Sequence, residues 1–204
     1  MIKIAILGDI GSGKTFVART FGYPVFNADE EVSKLYKKEK KIFNKLKKKL
    51  PNYIFSFPIK KKEITKAILS DNSNLKKIVK IVHPEIQNKM KLFIKKNKYK
   101  EVVILDIPLL LENRINHKED FLIFIQSKKL EIMKRLKKRE NFNNKLLKKF
   151  KNIQLPLDYK KNKADFIIKN DFTKKTLKKS IKLILKKIFD ERSSFRHRNH
   201  RHIY

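Results

Sequence analysis

The sequence predicts an α/β protein: a three-layer fold on a parallel five-stranded sheet of the phosphate-loop type, with a helical insertion and a helical lid. Three observations carry that expectation. At the N-terminus a short apolar run passes through a glycine-rich turn into a helix. Further short apolar runs alternate with stretches of helical periodicity, the pattern of parallel strands joined by helical crossovers. Residues 30–98 keep helical spacing for far longer than one crossover needs.

The first strand is Ile2 to Leu7, apolar except for Lys3. Gly8, Asp9, Ile10, Gly11, Ser12, Gly13, Lys14 and Thr15 follow in G-x-x-x-x-G-K-[ST] order. Val17, Ala18 and Phe21 then recur at helical spacing, so a helix opens near Gly13. The glycines let the backbone curl so that its N–H groups and the helix N-terminus form a nest for phosphate oxygens. Lys14 can reach a transferred phosphoryl group, and the Thr15 hydroxyl can ligate magnesium. The loop therefore calls for the phosphates of a nucleotide, with Mg2+. By itself it does not separate a phosphotransferase from other nucleotide hydrolases.

Tyr23 to Ala28 reads as the second strand, entered through Pro24. Asp29 stands where strand gives way to helix, at the crevice that the loop also faces. It is a candidate to orient or deprotonate an acceptor hydroxyl; a helix cap is the alternative. Ile42, Phe43, Leu46 and Leu50 mark a helix stopped by Pro51, and Ile59 to Leu69 another. Leu75, Ile78, Val79 and Val82 mark a third, expected to end near His83 and Pro84. Proline suits a first helical turn, so a new helix is expected over Glu85 to Ile94. His83 either positions that helix or binds ligand.

Glu101 to Asp106 is a central strand ending on an acid, which suits a magnesium site or its surroundings. Pro108, Leu109, Leu110, Leu111 and Glu112 follow; Glu112 caps the loop or contacts the acceptor. Asp120 to Gln126 is the fourth strand. Leu130 to Arg139 reads as a helix with Arg135 and Arg139 four apart, hence on one face. Fixed positive charge on a mobile lid is what phosphoryl transfer needs, although both can be ordinary surface charge. Phe142 to Phe150 continues the lid, and Gln154 lies in a loop before Pro156. Ala164 to Lys169, closed by Asn170, is the fifth strand. Thr173 to Phe189 is a basic amphipathic helix, which packs on the sheet or lies on an anionic membrane.

Of 53 Lys plus Arg, eight are arginine, leaving 45 lysines against 20 acids; the formal net charge is +33. Such a field attracts polyanions. Base reading favours arginine forks, so the spread-out lysines read as solvated helix faces, and no specific nucleic-acid partner is expected. There is no cysteine, which excludes disulfides and thiolate chemistry. The N-terminal apolar run is too short for a signal sequence, and no stretch has the length of a membrane span. A cytoplasmic monomer without a membrane partner is the expectation. After Phe189 lysine disappears, and 190–204 hold four of the arginines and three of the five histidines, reading as a disordered basic tail.

These features together resemble the dephospho-coenzyme A kinase family of phosphate-loop kinases. The match runs from Met1 to about Phe189. Its signposts are Gly8 to Thr15; Asn27, Ala28 and Asp29; His83 and Pro84; Leu105 to Glu112; Arg135, Leu136 and Arg139; Gln154; and Ala164, Asp165 and Asn170. The loop is generic; the Pro-Leu-Leu-x-Glu segment with the downstream Ala-Asp and Asn is much more specific. The resemblance implies transfer of the terminal phosphoryl group of ATP to the 3′-hydroxyl of dephospho-coenzyme A. It implies Lys14, Asp29 and Arg139 as catalytic residues. The loop with Arg135 and Asn170 is implied for ATP, and Thr15 and Asp106 for magnesium. Asp29, His83, Asp106, Pro108, Leu109 and Glu112 are implied for the acceptor. It further implies a core of 1–29, 99–128 and 160–189, a substrate-binding insertion over 30–98, and a lid over 129–159. Four positions depart from the family pattern. Asp9 replaces a glycine, Asn27 an acid, Gln87 an arginine and Leu111 a phenylalanine. Another small-molecule or nucleoside monophosphate kinase of the same fold is the alternative, and a charge-driven nucleic-acid binder a more remote one.

Overall fold

The computed structural model of the chain describes residues 1–112, 115–140 and 142–200, with 193–200 as backbone alone. Five strands make one parallel sheet: β1 (Ile2–Gly8), β2 (Val25–Asn27), β3 (Val102–Asp106), β4 (Phe121–Gln126) and β5 (Phe166–Lys169), in the order β2-β3-β1-β4-β5. The carboxyl ends of β1, β2 and β3 therefore lie side by side. Asn27 stands opposite Asp106 in the register, and Gly8 opposite Ile125.

Alternation along the strands divides the core. Ile2, Ile4 and Ile6 pack with Val17, Ala18 and Phe21 of and beside α1 (Lys14–Thr20), and with Leu177, Ile181, Ile184 and Ile188 of α9 (Lys174–His200). Ala5, Leu7, Phe26 and Leu105 face the other way, toward α2 (Ala28–Lys38), α3 (Lys40–Lys49), α4 (Lys61–Ser70) and α5 (Asn72–Lys96). Period-two strands between two helical layers give the expected three-layer arrangement. Among the described residues, α6 (Lys129–Lys137), α7 (Asn144–Asn152) and α8 (Leu157–Asn162) complete the helices. No described helix is long and apolar enough to cross a membrane.

Three expectations need correction, and one helix is additional. The helix expected to break at His83 and Pro84 is continuous. Leu75, Ile78, Val82, Ile86 and Met90 form one buried stripe across the proline, and Pro84 itself is exposed. Packing along that stripe outweighs the one hydrogen bond that proline removes. Helix α6 ends at Lys137, so Arg139 lies in the following turn rather than on the face of Arg135. The chain from 190 to 200 continues α9 instead of leaving the fold as a disordered tail; no glycine or proline interrupts it. Residues 201–204 of that tail lie outside the described residues. Finally, α8 was not expected; Pro156 at its N-cap starts it.

Candidate functional site

The phosphate loop is held from several sides. Gly11 and Gly13 have φ of 85° and 90°, where L side chains are strained. A Cβ on Gly11 would meet Leu136 of α6 at 2.9 Å, and one on Gly13 would meet Asn170 and Phe172. The loop thus packs directly against the lid helix and the turn after β5. Asn170 donates to the Ser12 carbonyl at 2.9 Å, and so does Ser127 Oγ. Asn170 is 5% exposed, so it supports the loop from behind. Arg135 lies over the Phe172 ring, 4.1 Å from its centroid, on the same side of the loop. Phe172 was missed in the sequence. Its φ of 65°, rare for an aromatic residue, leaves no local signal.

Lys14 Nζ donates to the carbonyls of Gly8 (3.2 Å) and Asp9 (2.8 Å). Burial depresses its pKa, and Lys160 adds to that, while Asp106, Asp29 and Asp9 oppose it. Asp9 stands where a glycine was expected, and both of its carboxylate oxygens have partners. Its Oδ1 accepts the Ile10 N–H at 2.7 Å, and its Oδ2 is 3.5 Å from Lys151 Nζ of α7. The lid helix thereby partly neutralises the extra charge.

At the strand ends, Thr15 Oγ1 donates to Asp106 Oδ2 at 2.6 Å, and Asn27 Nδ2 donates to the same oxygen at 2.6 Å. Asn27 Oδ1 also accepts the Glu30 N–H, capping α2. The cap is therefore Asn27, not Asp29. A carboxylate at position 27 would repel Asp106; the amide donates to it instead. Burial raises the Asp106 pKa, against Thr15, Lys14 and Asn27. A hydroxyl and a carboxylate 2.6 Å apart are hard oxygen donors that fit Mg2+. No cluster of three or more His, Cys, Asp or Glu occurs among the described residues; an ion held largely by nucleotide phosphates and water needs none.

Asp29, in the first turn of α2, opens into a cavity of about 960 Å³. It is accessible from that cavity, yet protein walls surround it. Their desolvation raises its pKa, followed by Asp106, while Lys14 and Arg139 pull it back. Ile10 of the loop, Arg139, Pro108 and Leu109 line the same cavity. Its remaining wall is mostly apolar and comes from α2, α4, α5 and α7. Lys149 seats α7 by donating to the Ile68 and Leu69 carbonyls at the end of α4, at 2.8 and 3.1 Å. His83 lines the cavity with a lowered pKa caused by burial, and its buried Nε2 has no partner among the described residues. Gln87 lies nearby on the same wall.

Of the residues expected at the acceptor, Asp106 and Glu112 do not line the cavity: Asp106 is buried and bonded to Thr15 and Asn27, and Glu112 is engaged elsewhere. Glu112 Oε1 accepts the Leu155 N–H at 2.9 Å and meets Lys160 Nζ at 2.6 Å. Lys160, one of a run of lysines, carried no sequence signal and is nonetheless buried.

A family model described as dephospho-CoA kinase matches residues 2–176. A dephospho-CoA kinase of the Wolbachia symbiont of Brugia malayi is 34% identical over 187 residues, covering 89% of this chain and 95% of that relative. A Thermus thermophilus crystal structure superposes with a TM-score of 0.70 at 25% identity, covering 91% of this chain and 97% of the other. The dephospho-CoA kinase of Campylobacter jejuni, at 20% identity and a TM-score of 0.56, shares the fold over 92% of this chain and 98% of its own.

Proposed function

The chain belongs to the dephospho-CoA kinase family, and on that premise we propose how its own residues carry out the transfer. The reaction is the ATP-dependent phosphorylation of dephospho-CoA to CoA. In this reading the 3′-hydroxyl oxygen of the acceptor forms a bond to the γ-phosphorus. The bond from that phosphorus to the β,γ-bridging oxygen breaks, ADP leaves, and the hydroxyl proton passes to the Asp29 carboxylate. Lys14 and the loop from Gly8 to Thr15 hold the phosphates, with Arg135 and Asn170 at the far side of the loop. Arg139, on the lid side of the cavity, steadies the charge on the travelling group. Thr15 and Asp106 would hold magnesium, which would supply positive charge against the phosphates. The apolar cavity, with His83, Pro108 and Leu109 on its wall, takes the acceptor. Glu112 is left out of the acceptor site because Lys160 and Leu155 enclose it.

One observation carries the assignment: Asp29 is acted on by both Lys14 and Arg139 while it opens into the cavity that Arg139 lines. Asp29 and Arg139 line one cavity that Ile10 of the phosphate loop also reaches, which supports a base and a lid cation meeting at the phosphates. The division into a core of 1–29, 99–128 and 160–189, an insertion of 30–98 and a lid of 129–159 follows from the same reading. So does a cytoplasmic monomer that binds nucleic acid only through its net charge. ADP release with dephospho-CoA, set beside shikimate and nucleoside monophosphates, tests the acceptor. Release with dephospho-CoA alone is expected; comparable release with a mononucleotide would favour the other kinases of this fold.

A further inference from the structure

Among the described residues Phe172 is the one non-glycine with a positive φ, at 65°. A bulky side chain is strained in that conformation, and glycine would adopt it freely. Such strain persists where the surroundings hold it, and it gathers at sites of function. Two side-chain contacts and one backbone bond hold Phe172. Its N–H donates to Asn170 Oδ1 at 3.0 Å, and Asn170 Nδ2 donates to the Ser12 carbonyl of the phosphate loop at 2.9 Å. Its ring reaches the start of α1, where a Cβ on Gly13 would lie 2.9 Å from Phe172 Cε1. Over the ring lies the Arg135 guanidinium of α6, with its carbon 4.1 Å from the centroid. The ring therefore bridges the Gly13 backbone and the lid helix.

Nothing else fixes Arg135. It is exposed, and among the described residues its side chain makes no hydrogen bond or ion pair. Arg19, also exposed, is by contrast paired with Glu30. The charge of Arg135 is thus not cancelled by a carboxylate. An arginine side chain left to itself samples many rotamers, and ordering it costs entropy. Stacked flat on an aromatic face, the guanidinium loses that freedom yet keeps its charge and its N–H donors.

We infer that Phe172 is a positioning residue for ATP: its ring fixes the Arg135 guanidinium beside the start of α1, so that the lid meets the nucleotide with a cation already in place. The left-handed backbone at 172 aims the ring between Gly13 and Arg135. Ordering Arg135 in advance removes an entropy cost that ATP binding would otherwise carry. The inference rests on the reading of Arg135 as an ATP contact.

The dissociation constant of ATP, measured on the parent, Phe172→Leu, Arg135→Ala and the two substitutions combined, tests it. Phe172→Leu keeps apolar bulk over Gly13 and loses the ring face. It is expected to weaken ATP about three- to fivefold, the scale of one exposed cation–π contact, while KM for dephospho-CoA holds. Arg135→Ala is expected to weaken ATP at least as much. The double variant should match Arg135→Ala, because the ring acts through the guanidinium. Phe172→Tyr keeps the ring face and should bind ATP as the parent does. Phe172→Gly accepts the φ of 65° without strain and serves in the same cycle, so a poorly folding leucine variant leaves the test intact. Parental ATP affinity in both Phe172→Leu and Phe172→Gly overturns the inference. So does an equal further loss when the change at 172 is added to Arg135→Ala, which is what a ring that only braces the loop would give. Failure of the underlying reading looks different: Arg135→Ala by itself then binds ATP as the parent does, and the inference falls with it.

Discussion

The two faces of the sheet are built from the same strands and finish differently. On one, Ile2, Ile4 and Ile6 meet α1 and α9 and the space is filled. On the other, Ala5 and Leu7 meet α2 to α5, and beyond them a cavity of about 960 Å³ stays open between those helices and α7. The filled face fixes the strands, so that Gly8, Asn27 and Asp106 end together. The hollow face shapes what can approach them. In the proposed mechanism stability and acceptor choice fall on opposite sides of one sheet, with the charges assigned to the chemistry along the edge between.

The edge should show the largest effect. Lys14→Ala removes the cation at the phosphates and is expected to cut turnover at least ~1000-fold, the scale of a lost preorganised electrostatic contact. Steady-state ADP release measures it, and near-normal turnover would remove Lys14 from its role. On the filled face, Ile181→Ala deletes buried volume against the sheet and should cost about 2–5 kcal/mol of stability. Denaturant unfolding reports that loss, while KM for dephospho-CoA should not move; a shifted KM would mean that the faces are not separable. On the hollow face, Val79→Phe extends a side chain into the cavity. It should raise KM for dephospho-CoA roughly tenfold, about 1.4 kcal/mol, with Tm unchanged or higher. A drop in Tm with KM intact would show that the cavity wall is core rather than binding surface.

The difference between the faces also explains what the sequence made legible. The loop from Gly8 to Thr15 was readable because its chemistry is contiguous and its glycines answer a backbone requirement. The strands were readable to within a few residues, since each is short, apolar and bounded. Pro84 misled because a local rule was overridden by a stripe of five buried residues on α5, visible only once α5 is seen to pack as a unit. The pairing of Arg135 with Arg139 failed for a complementary reason. A spacing of four implies one face only while the helix lasts, and α6 stops at Lys137. Lys160 was hidden by composition: where lysine is the commonest surface residue, a buried lysine looks like its neighbours. Asn27 was noted as a departure, but its value, capping α2 while donating to Asp106, depends on the β2–β3 register.

In the proposed mechanism Asp29 is the acid through which the hollow face and the phosphate edge meet. Its folded pKa is raised above the ordinary 3.8 by burial first and Asp106 next. The ionised carboxylate therefore costs stability above that pKa, and the cost is relieved as pH falls through it. Asp29→Asn should leave Tm no lower than the parent's, and transfer by the parent should decline with acid at a pH above that of an ordinary aspartate. The direct measurement is single-turnover phosphoryl transfer to dephospho-CoA by Asp29→Asn, with ATP affinity measured alongside. A transfer rate lower by roughly 100- to 10,000-fold with ATP affinity preserved is predicted. Transfer at the parental rate would contradict it.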